Sequence, residues 1–172
     1  MRKIIYLLDQ LYLSFLLVLP NIYTFNRLRG RYYKYKGCDI HPQSSIGANV
    51  RIQGRIKLGR GSSLAQNCSL SGFDAGIFIG DNVMIAPNCV LVAFNHGYDD
   101  LTIPMSMQKN EESPINIADD VWISANCTIT KGVNIGKGAI IAANSCVVKD
   151  VSEYSIVGGV PAKIIGNRIK KQ

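Results

Sequence analysis

The chain has 172 residues, 47% hydrophobic side chains and a formal net charge of +7. This length supports one domain with a substantial core and leaves little room for a second domain. Residues 1–36 carry seven basic side chains and one acidic side chain, a net charge of +6, whereas the remaining residues carry only +1. The basic excess therefore belongs to one short segment, which argues against a nucleic-acid-binding face on the protein.

The first predicted element is a helix from about residue 3 to residue 19, within the apolar sequence IIYLLDQLYLSFLLVLP. Asp9 and Gln10 interrupt the apolar run, which leaves it too short to span a bilayer. Two interpretations stay open. The helix covers the open end of the first repeat, as capping elements of repeat proteins do, or it lies at a membrane surface beside the basic and aromatic sequence RLRGRYYKYK. Packing is favoured, and the two are compatible.

The central pattern is a branched apolar residue at every sixth position, in three phased blocks. Neither a helical period nor simple alternation produces this spacing. Small or β-branched residues follow at fixed distances, which is typical of a parallel β-helix with three hexads per coil. The fifteen positions predict about five coils, stacked at the strand spacing of about 4.8 Å. They are Ile40, Ile46, Ile52, Leu58, Leu64, Leu70, Ile79, Ile85, Leu91, Ile117, Ile123, Ile129, Ile135, Ile141 and Val147.

The repeat divides the chain into three predicted regions. These are an N-terminal apolar helix and basic segment over residues 1–36, a β-helix over residues 37–152 with an extruded loop at 93–114, and a C-terminal tail over 153–172. A shorter break at the sequence SGFDAG predicts a bulged corner. Insertions at the corners of a solenoid usually carry function, so the long loop is the first place to look for a site.

The five cysteines form no CxxC pair and no cluster with histidine, so no metal site is expected. Cys68, Cys89 and Cys127 occupy the small corner position of their hexads, which predicts packed thiols in a reducing compartment. No small-residue cleavage site follows the apolar segment. We therefore expect a cytoplasmic protein, with peripheral contact at the inner membrane face if the N-terminal segment binds lipid.

The candidate catalytic residue from chemistry alone is His96, near the start of the long loop. A histidine at the root of an extruded loop can lie in a cleft, and imidazole titrates near neutral pH, which suits a general base. The alternative is a surface histidine that makes a loop hydrogen bond. His41, beside Pro42, is interpreted as structural. No phosphate-binding loop, serine-hydrolase elbow or zinc-protease motif occurs in the sequence.

Three further sequences are more specific than the hexads. They are FIGDNVMIAPNCVLVAFNHG, PINIADDVWISANCTITKGVNIGKGAIIAANSCVVKD and VGGVPAKII. Together they resemble the hexapeptide-repeat acyltransferases, in the branch of maltose, galactoside and polysaccharide O-acetyltransferases, over about residues 40–166. The resemblance implies an all-β fold, a left-handed parallel β-helix, assembled as a homotrimer with active sites between adjacent prisms. It also implies acetyl-CoA as co-substrate and a sugar or glycan acceptor in polysaccharide biosynthesis.

The resemblance also implies a set of site residues. His96 matches the family's catalytic histidine, Asn67 matches an acceptor-contacting asparagine, and the backbone N–H of Ala125 matches the donor to the thioester carbonyl oxygen. The implied wall of the coenzyme groove consists of Trp122, Ala125, Ala143 and Lys149.

The sequence departs from the family pattern at two positions, where Ser124 replaces a glycine and Val148 replaces a threonine. The glutamate that galactoside enzymes place near the histidine is also out of register. The group that orients His96 therefore stays open. The candidates are Glu111, Glu112, Asp99 and a backbone carbonyl.

The sequence thus predicts an acetyl-CoA-dependent O-acetyltransferase that acts by direct transfer in a ternary complex. The basic, apolar N-terminus favours a polysaccharide precursor or an oligosaccharide linked to lipid as the acceptor, rather than a free disaccharide. Two alternatives stay open: N-acetylation of an amino sugar or its nucleotide by the same histidine chemistry, and a non-catalytic β-helix scaffold.

Overall fold

The computed structural model describes residues 2–169, which form a triangular prism of short parallel strands with two helices at one end. The helices are α1 (Arg2–Val18) and α2 (Tyr23–Tyr35). The strands are β1 (Asp39–Ile40), β2 (Ser45–Ile46), β3 (Arg51–Leu58), β4 (Ser63–Leu64), β5 (Ser69–Ile79), β6 (Met84–Ile85), β7 (Val90–Val92), β8 (Phe94–Asn95), β9 (Glu111–Glu112), β10 (Ile115–Ile117), β11 (Trp122–Ile123), β12 (Thr128–Ile129), β13 (Asn134–Ile135), β14 (Ile140–Ile141), β15 (Cys146–Val147), β16 (Ser155–Gly159) and β17 (Ala162–Asn167).

The prism has three faces, and each face is a stack of parallel strands whose inward side chains align. On face A the aligned residues are Ile40, Leu58, Ile79, Ile117, Ile135 and Val151. On face B they are Ile46, Leu64, Ile85, Ile123, Ile141 and Val157. On face C they are Ile52, Leu70, Leu91, Ile129 and Val147.

The apolar positions of the hexads form the core. Fourteen of the fifteen predicted positions are at most 3% exposed, and only Ile52 is partly buried. A single coil buries little apolar area, so the favourable burial comes from the stack as a whole. The prediction of a parallel β-helix is confirmed.

The prism has about six coils, not the five that the hexads predict, because two further inward residues follow Val147. Val151 bridges to Ile135, and Val157 pairs with Ile141 through β16. The pattern did not reveal them because Val151 follows the preceding inward residue by four positions instead of six. The stack therefore continues beyond residue 152, and β17 folds back on β16 as an antiparallel hairpin.

The two helices cover the open end of the first coil. The N–H of Asn49 donates to the carbonyl of Leu17 over 2.9 Å, and the hydroxyl of the buried Tyr33 donates to the carbonyl of Val50 over 2.7 Å. These contacts agree with the packing interpretation of the N-terminal segment, although α2 itself was not predicted. Within residues 2–169, no helix has both the length and the apolar character needed to cross a membrane.

Candidate active site

Five of the six predicted site residues fall on two edges of the prism, on opposite sides of face C. The BC edge, between faces B and C, carries Asn67, Ala125 and Ala143, each at the corner before a face C strand. The CA edge, between faces C and A, carries Lys149 and the long loop with His96. Because parallel strands keep these corners apart by the width of face C, the two groups do not meet within one chain.

Asn67 belongs to an asparagine ladder along the BC edge. The side-chain amide of each asparagine donates to the side-chain oxygen of its neighbour in the adjoining coil, over 3.0–3.1 Å. Each also adopts a positive φ between 53° and 63°, a conformation that asparagine tolerates better than most residues. The ladder consists of Asn49, Asn67, Asn88, Asn126 and Asn144. Asn67 is exposed, so this structural role leaves one side of its amide accessible.

Ala125 and Ala143 occupy equivalent corner positions in adjoining coils of the BC edge. The carbonyl of Ala125 accepts a hydrogen bond from the N–H of Asn144 over 3.0 Å. The N–H of Ala125 has no acceptor within the part of the chain that the structure describes, and this residue is only partly buried. Its backbone donor is therefore available to an oxygen atom of a ligand.

Trp122 lies on the outer surface of face B, in strand β11. It is 45% exposed and stands in register between Met84 and Ile140 of the adjoining coils. Met84 is 54% exposed. These side chains form an apolar strip that can pack against a coenzyme or against another protein chain.

The long loop is anchored at the CA edge by a short hairpin. Strands β8 and β9 pair antiparallel, and the N–H of Ser113 donates to the carbonyl of Ala93 over 2.9 Å. His96 follows β8 and is exposed. Its ring meets the ring of Phe94 edge-on, with centroids 5.7 Å apart.

The shorter insertion supports this hairpin, which the sequence analysis did not anticipate. The ring of Phe73 packs against that of Phe94, with centroids 4.3 Å apart. The carboxylate of Glu112 accepts hydrogen bonds from the backbone N–H groups of Asp74 and Ala75, each over 3.0 Å. The two breaks in the repeat therefore form one structure around the root of the loop.

Three acidic residues near His96 have other partners. Glu112 binds the shorter insertion, and Glu111 forms an ion pair with Lys131 over 2.6 Å. Asp100 accepts hydrogen bonds from the hydroxyl and the N–H of Thr102, and these bonds lower the pKa of its carboxyl group. Among the described residues, the imidazole of His96 has no hydrogen-bond partner. No hydrogen bond from a described residue therefore fixes the tautomer of His96.

The corner cysteines are packed inside the prism beside the asparagine ladder. The thiols of Cys68, Cys89 and Cys127 donate to carbonyl oxygens of the adjoining coil over 3.1–3.2 Å. The neighbouring thiol of Cys89, together with burial, raises the pKa of Cys127. The neighbouring thiol of Cys127 acts in the opposite direction, but the thiol of Cys68 and burial raise the pKa of Cys89 to about 11. The burial of these thiols agrees with the predicted packing, and the raised pKa values make Cys89 and Cys127 poor nucleophiles.

A surface groove along one face of the prism contains none of the predicted site residues. It has a volume of about 580 Å³, lies along face A and is lined by Phe78, Asn116 and Asp150 among others. A smaller hollow of about 320 Å³ lies within the long loop, beside Gly97 and Glu111. Within residues 2–169, no three His, Cys, Asp or Glu side chains are grouped so as to hold a metal ion.

Comparison with known proteins places these features in context. A probable acetyltransferase of Mycobacterium tuberculosis is 32% identical over 170 residues, covering 91% of this chain and 55% of that protein. Galactoside O-acetyltransferase of Escherichia coli is 30% identical over 162 residues, covering 81% of this chain and 77% of the enzyme. A putative lipopolysaccharide biosynthesis O-acetyltransferase of the same species is 31% identical over 159 residues, covering 76% of this chain and 80% of that protein. No family model matches the chain.

Solved structures share the architecture. A maltose O-acetyltransferase from Clostridium difficile superposes with a TM-score of 0.78 and 25% identity, over 94% of this chain and 85% of that one. A hexapeptide-repeat acetyltransferase from Vibrio cholerae, solved with acetyl-CoA, superposes with a TM-score of 0.66 and 32% identity, over 74% of this chain and 69% of that one.

The strand stack and these superpositions define a left-handed parallel β-helix of the acyltransferase class, as the sequence predicted. The extruded loop with His96 interrupts the stack within the part of the chain whose sequence resembles these enzymes. The chain belongs to the hexapeptide-repeat acetyltransferases. Acetyl-CoA is the acetyl donor of this family, which agrees with the predicted co-substrate.

Proposed function

We propose that this chain transfers an acetyl group from acetyl-CoA to a hydroxyl group of a sugar, with His96 as the general base. The observation that carries the proposal is the position of His96, exposed on the hairpin that leaves the CA edge and without a partner among the described residues. A free imidazole next to a bound hydroxyl group can accept its proton.

The proposed reaction is a direct transfer in a ternary complex. The imidazole of His96 takes the hydroxyl proton while the sugar oxygen attacks the thioester carbonyl carbon. The tetrahedral intermediate then collapses, the carbon–sulfur bond breaks, and the imidazolium returns the proton to the coenzyme A thiolate. This sequence needs no acyl-enzyme, and the raised pKa values of Cys89 and Cys127 make these two thiols poor candidates for one.

Residues of the BC edge are proposed to hold the thioester. The free N–H of Ala125 would donate to the carbonyl oxygen as it gains negative charge. Ala143 and Trp122 would form the wall of the coenzyme groove, and Asn67 would contact the acceptor through the accessible side of its amide. Lys149, exposed on the CA edge, would bind a phosphate group of the coenzyme.

The active site is proposed to form between two chains of a homotrimer. Within one chain, face C separates His96 from Ala125 and Ala143, so neither edge alone contains a base, an oxyanion donor and a coenzyme wall. A cyclic assembly brings the CA edge of one copy against the BC edge of the next, because its interfaces join different surfaces. Three equivalent sites result.

The proposed acceptor is a sugar of a polysaccharide precursor or an oligosaccharide. Two relatives support this class by their descriptions, one as a galactoside O-acetyltransferase and one as a lipopolysaccharide biosynthesis O-acetyltransferase. N-acetylation of an amino sugar nucleotide is the second candidate. It is supported by an N-acyltransferase of Bacillus cereus solved with dTDP and 3-hydroxybutyryl-CoA, which superposes with a TM-score of 0.60 and 27% identity.

The deciding experiment measures release of the coenzyme A thiol from acetyl-CoA against a panel of sugars, sugar nucleotides and glycan fragments. We expect His96→Ala to lower kcat by about 10² to 10⁴, the usual contribution of a general base. His41→Ala is the matched control, because the chain has only two histidines and the Nδ1 of His41 accepts a hydrogen bond from the N–H of Gln43 at a corner of the first coil. Full activity of His96→Ala would refute the mechanism.

The same assay separates the remaining alternatives. Mild base releases an O-linked acetyl group from the product and leaves an N-linked acetyl group in place. A non-catalytic scaffold predicts that the wild-type protein neither releases thiol nor binds coenzyme A in calorimetry.

A further inference from the structure

The side of α1 that faces away from α2 and from the prism is an uncovered apolar stripe. Its side chains recur at spacings of three and four residues, which places them on one side of the helix. Each is at least 58% exposed. The apolar stripe consists of Ile4, Leu7, Leu8, Leu11, Phe15 and Val18.

This stripe is additional to the surface by which α1 joins the fold. Leu16 and Leu17 are buried, and Leu13 packs against the core from the same inner side. A helix that packs on a domain and faces water normally carries polar residues on its outer side. The outer side of α1 is apolar instead, so it is suited to an apolar environment outside the chain.

A row of basic residues lies on α2, the second helix of the cap. Arg27, Arg31 and Lys34 recur at spacings of four and three residues, on the side of α2 that faces neither α1 nor the buried Tyr33. With His41 and neighbouring residues they line a groove of about 230 Å³ where α2 meets the first coil. Arg31 and Lys34 are exposed and make no ion pair with any residue between 2 and 169.

The acidic side chain of this region does not neutralise the basic row. Asp9 is the only acid among residues 1–36. Its carboxylate binds Lys36 over 3.0 Å and accepts a hydrogen bond from the hydroxyl of Tyr32, and these contacts lower its pKa. The basic row therefore presents uncompensated positive charge on the same two-helix cap as the apolar stripe.

We propose that the two-helix cap docks on an anionic lipid surface, with the apolar stripe at the acyl-chain boundary and the basic row among the headgroups. Amphipathic helices of this kind lie in the plane of the interface, immersed by about 5–10 Å. At 17 residues, α1 is about 26 Å long, and it lies along the surface instead of crossing it.

Charge complementarity favours an anionic lipid surface as the occupant and disfavours a contact between the stripes of two copies. Docking of two copies through the same stripe would bring together two segments that each carry a net charge of +6. An anionic bilayer offers both hydrocarbon and negative charge, so it complements the stripe and the row together. The proposal is independent of acetyl transfer, because none of these residues lies on the BC edge or near the long loop.

Vesicle flotation at low salt tests the docking. We expect the protein to float with phosphatidylglycerol-containing vesicles and to remain below with phosphatidylcholine vesicles. Arg31→Gln with Lys34→Gln removes two charges, each contributing roughly fivefold, so partitioning should fall about 25-fold. Leu8→Ser with Leu11→Ser should weaken it by on the order of 100-fold. The matched control, Lys137→Gln with Lys163→Gln, removes two exposed charges from the prism and should have no effect.

Fluorescence quenching tests how deeply α1 enters the bilayer. The only tryptophan, Trp122, lies three coil spacings of about 4.8 Å below the first coil, so acyl-brominated lipids should leave its emission unchanged. A tryptophan introduced by Phe15→Trp should be quenched by the same lipids.

Three results would overturn the proposal. They are absence of flotation by the wild-type protein, equal loss in the Lys137 and Lys163 control, and a change of oligomeric state in Leu8→Ser with Leu11→Ser measured by sedimentation without lipid. The last result would assign the stripe to a contact between copies.

Discussion

The asparagine ladder gives Asn67 a structural role whatever it contacts in the acceptor. Its amide links two coils, and its backbone holds a positive φ of 63°. Asn126 belongs to the same ladder and has a φ of 60°. Substitutions there measure what the amide hydrogen bonds and the positive φ contribute to stability, away from the proposed acceptor contact.

Asn126→Ala should lower the free energy of unfolding by about 1–2 kcal/mol, because the left-handed backbone is strained with alanine and two exposed amide hydrogen bonds are lost. Asn126→Gly loses the same hydrogen bonds but accepts the positive φ, so it should be about 1 kcal/mol more stable than the alanine variant. Urea denaturation measures both. Equal stability of the two variants would show that backbone conformation contributes nothing at this corner.

Tyr33 links stability to alkaline pH. Burial raises its pKa from the ordinary value of 10.0 to about 12, and burial and the Asp9 carboxylate raise the pKa of Tyr32 similarly. Above pH 10 the unfolded chain loses protons that the folded chain keeps, so the free energy of unfolding should fall as pH rises from 10 to 12.

The loss attributable to Tyr33 should reach about 3 kcal/mol, since two pKa units correspond to that free energy. Tyr33→Phe should flatten the fall over this pH range, measured by urea denaturation at each pH. Tyr35→Phe is the control, because Tyr35 is 84% exposed. A wild-type curve that is flat to pH 12 would contradict the prediction.

Among the elements, the cap depends on a buried arginine. Arg29 is 1% exposed, and its guanidinium donates to the carbonyl groups of Leu16 and Leu19 at the end of α1 and to the side chain of Asn26 in α2. The last carbonyls of a helix have no partner within it, and a cation there also interacts favourably with the helix dipole. Burial lowers the pKa of Arg29, but a guanidinium stays charged in proteins.

Arg29→Lys should destabilise the cap by about 2–4 kcal/mol, because an ammonium group cannot reproduce the planar fork that satisfies several carbonyls at once. Hydrogen exchange should accelerate in α1 and α2 before it does in the prism strands. Arg31→Lys, at an exposed position, should change stability by less than about 0.5 kcal/mol. Similar exchange in both variants would argue that Arg29 is not the link between the helices.

For the whole molecule, the separation of the two edges leads to a complementation test. Ala143 is exposed on the BC edge, so Ala143→Trp should block the coenzyme groove without disturbing the core. His96→Ala removes the base on the CA edge. Each homotrimer should be nearly inactive in the thiol-release assay.

Co-refolding of the two variants in equal amounts should restore activity at about one quarter of the sites. Each site would take its base from one chain and its groove from the next. In random assembly, each of these two chains carries the intact edge with a probability of about one half. If both edges of one chain formed the site, every site would contain a defect. Activity no higher than that of the separate variants would therefore refute the proposed site between chains.

Much of the fold follows from the sequence because the hexad is a local rule. Each inward residue of the predicted set occupies its position for the same reason, burial against the coil before and after it. The corner cysteines and the apolar character of α1 were equally readable. The pattern did not predict the inward position of Val151, because this residue follows the preceding inward residue by four positions instead of six. It did not predict α2 either, because the composition of this helix is predominantly polar. Both elements are defined by packing alone.

The sequence by itself determined the β-helix, its family and the candidate residues, because these depend on periodicity and on short motifs. Only the tertiary structure decided how the residues are arranged. It placed His96 and Ala125 on different edges, joined Glu112 to the insertion at Asp74, and buried Arg29 beneath α1. These contacts connect positions far apart in the chain, and their partners are chosen by stacking and by hydrogen-bond satisfaction rather than by local pattern.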